Sequence, residues 1–343
     1  MTDPVSRAIS ALAERQDLPA SLAAQAFGQV MAGEASPVQT TALLVALRVK
    51  GETAAELEGA ALALRGAMVR VDAGSAERLV DTCGTGGGST GTFNISTAAA
   101  LVAAGAGARV VKHGNRSFTS RSGSADVLEA LGVTIELEPE TAARVLERCG
   151  MTFLFAPLYH PAMRFVGPVR RELGLTTIMN LLGPLANPAG AQRQVIGVAT
   201  AERAPLLAKT LALLGAERAL VVHAPAGLDE IAPPGVGATD VYEVHRGAVE
   251  RWTLDPARFG LPAGDAAALA GGSPQQNARI VTDVLGGKDR SVRRSAVVLN
   301  AAAALVAAGV TEHWEDAVRH ADETIDTGAA AEVLERLRRE SRG

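Results

Sequence analysis

Leu79-Val80-Asp81-Thr82-Cys83-Gly84-Thr85-Gly86-Gly87-Gly88-Ser89-Thr90-Gly91-Thr92-Phe93-Asn94-Ile95-Ser96-Thr97 decides how this chain reads. A short strand at 79–82 runs into five glycines within eight residues, and a helix follows from 96 to 106. Strand, glycine loop and helix in that order open an α/β unit. Downstream, 109–111 predicts a second strand, 123–131 a helix closed by Gly132, and Thr134-Ile135 a third strand. Pro139–Cys149 then predicts a helix and 152–155 a fourth strand. Alternation of this kind predicts an α/β fold whose larger domain has a mostly parallel sheet flanked by helices.

The alternation breaks at 161–173 and 176–182, which predict two successive helices. Strands resume at 195–199, 219–223 and 241–244, and helices at Pro274–Leu285, 291–308 and from Trp314 onward. Upstream of Val71 only helices are predicted. Ser36-Pro37-Val38-Gln39 and Thr53-Ala54-Ala55-Glu56 are capping boxes, and Gly33 and Gly51 sit where helices end. The expected organisation is a small all-helical domain at 1–70, joined by the helices at 160–183, and an α/β domain at 71–343.

Composition narrows the function. Of 343 residues, 48% are hydrophobic but only 3% aromatic, which suits Ala-rich helix packing and buried parallel strands. A net charge of −4 argues against a nucleic-acid or membrane surface, so any anion site is local. The first residues lack the apolar core of a signal peptide, and no uncharged apolar run approaches the ~18 residues of a membrane helix. Cys83 and Cys149 lack metal-ligand spacing and read as free thiols. A cytoplasmic enzyme is expected.

Three segments carry chemistry. The glycine loop lets backbone N–H groups approach an anion beside a helix N-terminus. Lys112-His113-Gly114-Asn115-Arg116-Ser117-Phe118-Thr119-Ser120 gathers cations, an amide and hydroxyls after the second strand, where ligands bind in open α/β sheets. Asp229-Glu230 places two carboxylates after a strand, suited to Mg²⁺ shared with substrate phosphates. His160 and Arg170 flank a helix after the fourth strand, and Arg170 could pair with a carboxylate.

Together these segments resemble the anthranilate phosphoribosyltransferases of tryptophan biosynthesis. The resemblance extends through Gly123-Ser124-Ala125-Asp126, His160-Pro161-Ala162-Met163, Asn180-Leu181-Leu182-Gly183-Pro184-Leu185, Asn187-Pro188 and Gly227-Leu228-Asp229-Glu230. It implies transfer of phosphoribosyl from phosphoribosyl pyrophosphate to anthranilate. It implies donor contacts at Gly84, Gly87, Gly88, Thr92, Asn94, Ile95, Ser96, Thr97, Ser124 and each residue from Lys112 through Ser120. Anthranilate contacts fall on Gly84, His113, Asn115, His160, Arg170 and Pro184, and Mg²⁺, two ions per subunit, on Ser96, Asp229 and Glu230. Lys112, Asn115 and Arg170 are the implied catalytic residues, and a homodimer through the helical domain is the implied assembly. One departure stands out: the family's Asp-Gly is replaced here by Gly88-Ser89, which leaves a backbone amide but no carboxylate. Two rivals share the fold, a pyrimidine nucleoside phosphorylase and a nucleic-acid-binding relative. The Asn94 to Thr97 motif with Asp229-Glu230 disfavours the first and the net charge the second.

Overall fold

The computed structural model describes residues 3–86, 91–117 and 121–343. The chain begins with α1 (Pro4–Ala13), α2 (Ala20–Ala32), α3 (Pro37–Lys50) and α4 (Ala54–Gly66). Both capping boxes form: Ser36 with Gln39, and Thr53 with Glu56. Gly59 lets α4 press against α2, because a Cβ there would strike the Ala20 carbonyl and Ala23. Glu56 is fully buried yet satisfied. It accepts from the backbone N–H of Leu18 (2.9 Å) and Thr53 (2.8 Å) and pairs with Lys50 at 3.1 Å.

The α/β part follows with β1 (Leu79–Gly84), α5 (Ile95–Gly105), β2 (Arg109–Gly114), α6 (Ser124–Ala130), α7 (Pro139–Cys149) and β3 (Met151–Phe155). Then come α8 (Ala156–Tyr159), α9 (Met163–Leu173), α10 (Met179–Leu182), β4 (Arg193–Gly197), α11 (Ala204–Leu213) and β5 (Arg218–His223). The chain ends with β6 (Thr239–His245), β7 (Ala248–Leu254), α12 (Pro274–Leu285), α13 (Val292–Ala308), α14 (Trp314–Asp326) and α15 (Ala329–Glu340). The strands form one seven-stranded sheet in the order β3-β2-β1-β4-β5-β6-β7. Strands β1 to β5 run parallel, while β6 and β7 extend the sheet antiparallel at one edge.

Along β4 to β6, period-2 alternation divides the apolar residues between two cores. Val195, Leu220, Val222 and Val241 face a core shared with α5 and α12 to α15. Ile196, Val221 and Val244 face the opposite core, shared with α1 to α4, α9, α10 and α11. The helices at 160–183 therefore bury their apolar residues with the N-terminal helices, on one face of the sheet.

Two sequence expectations need correction, and one strand was not foreseen. Thr134-Ile135 is not a strand. Val133, Ile135 and Leu137 are buried in alternation, but among the described residues no strand pairs with them, and the Thr134 N–H donates to Ser341 Oγ (3.0 Å). The helix expected at 176–182 shrinks to the single turn α10, continued by a 3₁₀ turn at Gly183–Leu185. Strand β7 escaped the sequence reading because as an edge strand it exposes most of its residues, including Glu250 and Arg251.

Candidate active site

Strand order reverses between β1 and β4, since β2 lies on one side of β1 and β4 on the other. Ligands in open α/β sheets bind at the carboxyl ends of such a pair. Here those ends are Gly84 and Gly197, hydrogen-bonded neighbours in the sheet. Both are glycines for a local reason. A Cβ on Gly197 would coincide with the Asp229 carbonyl, and one on Gly84 would lie 2.9 Å from Asp229 Oδ2. The segment bearing Asp229 and Glu230 is thus pressed directly onto the strand ends.

A water-sized cavity of about 10 Å³ opens beneath it, lined by Thr82, Cys83, Ser96, Asp229, Glu230 and Asn300 among others. Thr92 Oγ1 donates to Glu230 Oε1 at 3.2 Å, while Glu230 Oε2 is sealed from solvent without a hydrogen-bond partner. Burial, reinforced by neighbouring Asp229, holds the Glu230 carboxyl well above the usual range, and burial raises Asp229 as well. A divalent cation would relieve both effects. Among the described residues no cluster of three or more His, Cys, Asp or Glu suits a metal. Two carboxylates and a serine hydroxyl fit Mg²⁺, which commonly takes its remaining ligands from phosphates and water.

Lys112 is 2% exposed, at the floor of the same region. Its ammonium donates to the Thr82 carbonyl, to Thr82 Oγ1 (3.4 Å) and to Ser96 Oγ (3.2 Å). Asp81, fully buried, accepts from the His113 N–H (3.2 Å) and from Asn187 Nδ2 (2.8 Å), which also donates to the Val111 carbonyl (2.8 Å). Burial pushes Asp81 up and Lys112 down, and each opposes the other's shift through its charge. Asp81 and Asn187 therefore lock β2 against β1 and fix where Lys112 and His113 emerge.

The segment after the glycine loop and the segment after the cationic loop are tied together. Asn94 Nδ2 donates to the Ser122 carbonyl (3.1 Å), and Asn94 Oδ1 accepts from Ser122 Oγ (3.2 Å) and Asn277 Nδ2 (2.9 Å). Asp126 Oδ2 accepts from the N–H groups of both Ser117 (3.1 Å) and Gly123 (2.8 Å), drawing the ends of the cationic loop together. Gly114 leaves room for Ser124, whose hydroxyl donates to the Asn115 carbonyl at 3.4 Å. Ile95 and Thr97 are buried, so their side chains belong to the core. Arg116 is exposed and held by Asp126 and Glu129 of α6, with its guanidinium 5.5 Å from the Phe155 ring centroid.

A second corner lies between β2 and the helices at 156–173. His113 and His160, both buried, approach Nε2 to Nε2 at 3.2 Å. Burial, with the neighbouring imidazole, pulls His113 down to about 3, and burial pulls His160 to about 4. Pro184 is buried, and its carbonyl accepts from Gln194 Nε2 at 2.7 Å. Arg170 is half-buried on α9, and burial lowers its pKa. Among the described residues nothing forms an ion pair with it. Gly87, Gly88, Phe118, Thr119 and Ser120 lie outside the described residues.

The sequence reading missed Gly197, Asn277 and Asn300 as site residues and met Asp81, Asp126 and Asn187 only within wider motifs. Asn300 did leave a signal, as the one polar residue in the apolar run 296–308.

Comparison with known proteins agrees with this layout. The helical bundle domain model of the glycosyl transferase family matches residues 6–68, and the a/b domain model of that family matches 76–331. The chain is 54% identical over 333 residues to the anthranilate phosphoribosyltransferase of Anaeromyxobacter dehalogenans strain 2CP-C, covering 97% of each. The crystal structure of anthranilate phosphoribosyltransferase from Thermus thermophilus superposes with a TM-score of 0.92 at 43% identity, over 100% of both chains. The Saccharomyces cerevisiae enzyme in complex with PRPP and Mg gives 0.90 at 28% identity, over 98% of both.

Proposed function

This chain belongs to the anthranilate phosphoribosyltransferase family, and from that premise we propose that it transfers phosphoribosyl from phosphoribosyl pyrophosphate to the amine of anthranilate. The products are N-(5-phosphoribosyl)anthranilate and pyrophosphate, the second step from chorismate toward tryptophan. The observation that carries the reading is the pairing of two corners at the strand ends. One joins Lys112, Ser96, Asp229 and Glu230; the other joins His113 and His160, followed along the chain by α9, whose half-buried Arg170 has no ion-pair partner among the described residues.

At the first corner the glycine loop and Lys112 receive the donor, and Lys112 supplies a fixed positive field where charge develops on departing pyrophosphate. Ser96, Asp229 and Glu230 would hold magnesium, at two ions per subunit. When bound, the metal neutralises and orients the phosphates. At the second corner Arg170 binds the anthranilate carboxylate and Asn115 helps place its amine, so proximity lowers the barrier. The neutral imidazoles of His113 and His160 present no competing positive charge there. Anthranilate's neutral aryl amine is already a nucleophile, so no strong base is needed.

The helical domain, 1–70 with 160–183, closes the acceptor side over the 71–343 domain. Exposed Val38, Val49 and Leu62 on α3 and α4 support a homodimer through this domain. Among the described residues no helix is long and apolar enough to cross a membrane, which is compatible with a cytoplasmic enzyme. The test follows anthranilate fluorescence with enzyme, donor and Mg²⁺. Stoichiometric loss with pyrophosphate release is expected, and unchanged fluorescence at high enzyme would sink the assignment.

A further inference from the structure

We propose that Asn300 is a positioning residue for the carboxylate pair, an amide clamp that sets where Asp229 and Glu230 stand. Along α13, residues 296–308 are apolar apart from Asn300, which is 6% exposed. A buried amide in such a helix is unfavourable unless its donors and acceptor are all used. Here they are. Asn300 Oδ1 accepts from the Ile231 N–H (3.0 Å), and Nδ2 donates to the Ile231 carbonyl (3.0 Å) and to the Ala296 carbonyl (2.9 Å).

Ile231 directly follows Glu230, and its N–H belongs to the peptide that leaves Glu230. Two of the three bonds therefore fix the backbone of the acidic segment, and the third fixes the amide's own orientation. The next residue is held in the same manner, with the Ala232 N–H donating to buried Thr239 Oγ1 at 2.9 Å. On the opposite side the Asp229 carbonyl fills the space that a side chain at position 197 would occupy. The segment is gripped between a strand end and a helix. Asn300 also lines the cavity shared by Ser96, Asp229 and Glu230, and as a neutral group it adds no charge there. An apolar side chain of similar size would pack against α13's neighbours equally well but would release the Ile231 peptide.

This inference rests on the reading in which Asp229 and Glu230 hold the metal, and the test separates the two. Mn²⁺ bound to the enzyme–donor complex is counted as loss of the free-ion paramagnetic resonance signal, against a donor-only control. Asn300→Ala and Asn300→Ser, the latter keeping a hydroxyl for the Ala296 carbonyl, are each expected to weaken Mn²⁺ binding about tenfold. The Mg²⁺ concentration for half-maximal rate should rise in parallel, with the anthranilate KM unchanged. Thr210→Val, which removes a buried hydroxyl on α11 bonded to the Leu206 carbonyl, controls for destabilisation alone and should leave Mn²⁺ binding unaltered. If Glu230→Gln weakens Mn²⁺ binding but both folded Asn300 variants bind as the native chain does, the clamp is wrong. A Glu230→Gln variant that binds Mn²⁺ normally removes the metal from that carboxylate and overturns both ideas.

Discussion

At the β1–β4 end of the cleft, Lys112, Asp81, Asp229 and Glu230 crowd ionisable groups into a nearly dry space, where backbone or neutral side-chain partners hold Lys112 and Asp81 while Glu230 Oε2 is left without one. At the other end, His113 on β2 and His160 before α9 are stripped of charge by burial, and on α9 the half-buried cation of Arg170 has no protein counter-ion among the described residues. The first corner is organised around charges that a metal and phosphates would complete. The second is organised around the want of an anion. The difference teaches how one site can hold a highly charged donor and a singly charged aromatic acceptor without each repelling the other's surroundings.

Breaking the first corner should have the largest effect. Gly197→Ala places a methyl where the Asp229 carbonyl stands, so the acidic segment must move. Transfer activity should fall well over ~100-fold, since displacing a positioned group by an ångström already has a penalty of that order. A folded variant with native activity in the fluorescence assay would mean that the segment's placement does not matter.

Arg170→Ala tests the second corner. The anthranilate KM should rise about 30-fold, equivalent to ~2 kcal/mol, with the donor KM within about twofold of the native value. A matched rise in both constants would erase the division into two corners.

The last effect concerns protons and is read on stability; at neutral pH it changes transfer activity least. His113 and His160 have folded pKa values of about 3 and 4, below the 6.5 of a free imidazole. Below 6.5 the unfolded chain binds protons that the folded chain does not, so stability is full above that pH and is lost as pH falls toward these values. The slope from each imidazole is about 1.4 kcal/mol per pH unit. His160→Gln should remove roughly half of the pair's combined slope between about pH 6 and 4 in denaturant titrations. An unchanged slope would mean that His160 is already protonated in the fold.

Much of this was legible in the sequence because it depended on local order. Capping boxes at Ser36 and Thr53, a glycine loop between strand and helix, and cations following a strand are all short-range signals. Their physical causes lie within a few residues, so a linear reading captures them. Thr134-Ile135 was misread for the complementary reason. Alternation announced burial, but pairing depends on a neighbouring strand that the local sequence cannot supply.

The sequence by itself thus determined the fold class, the helical start, the strand–loop units and most of the residue types that line the site. Only the tertiary structure decided which of them meet. It engaged Arg116 with α6, brought His160 to His113 across 47 positions, and gave Gly197, Asn277 and Asn300 roles that no neighbouring residue announces. A side chain's chemical type is carried by its own letter. The partner that makes that chemistry useful stands on another element, and only packing the two cores on either face of the sheet brings it within hydrogen-bond reach.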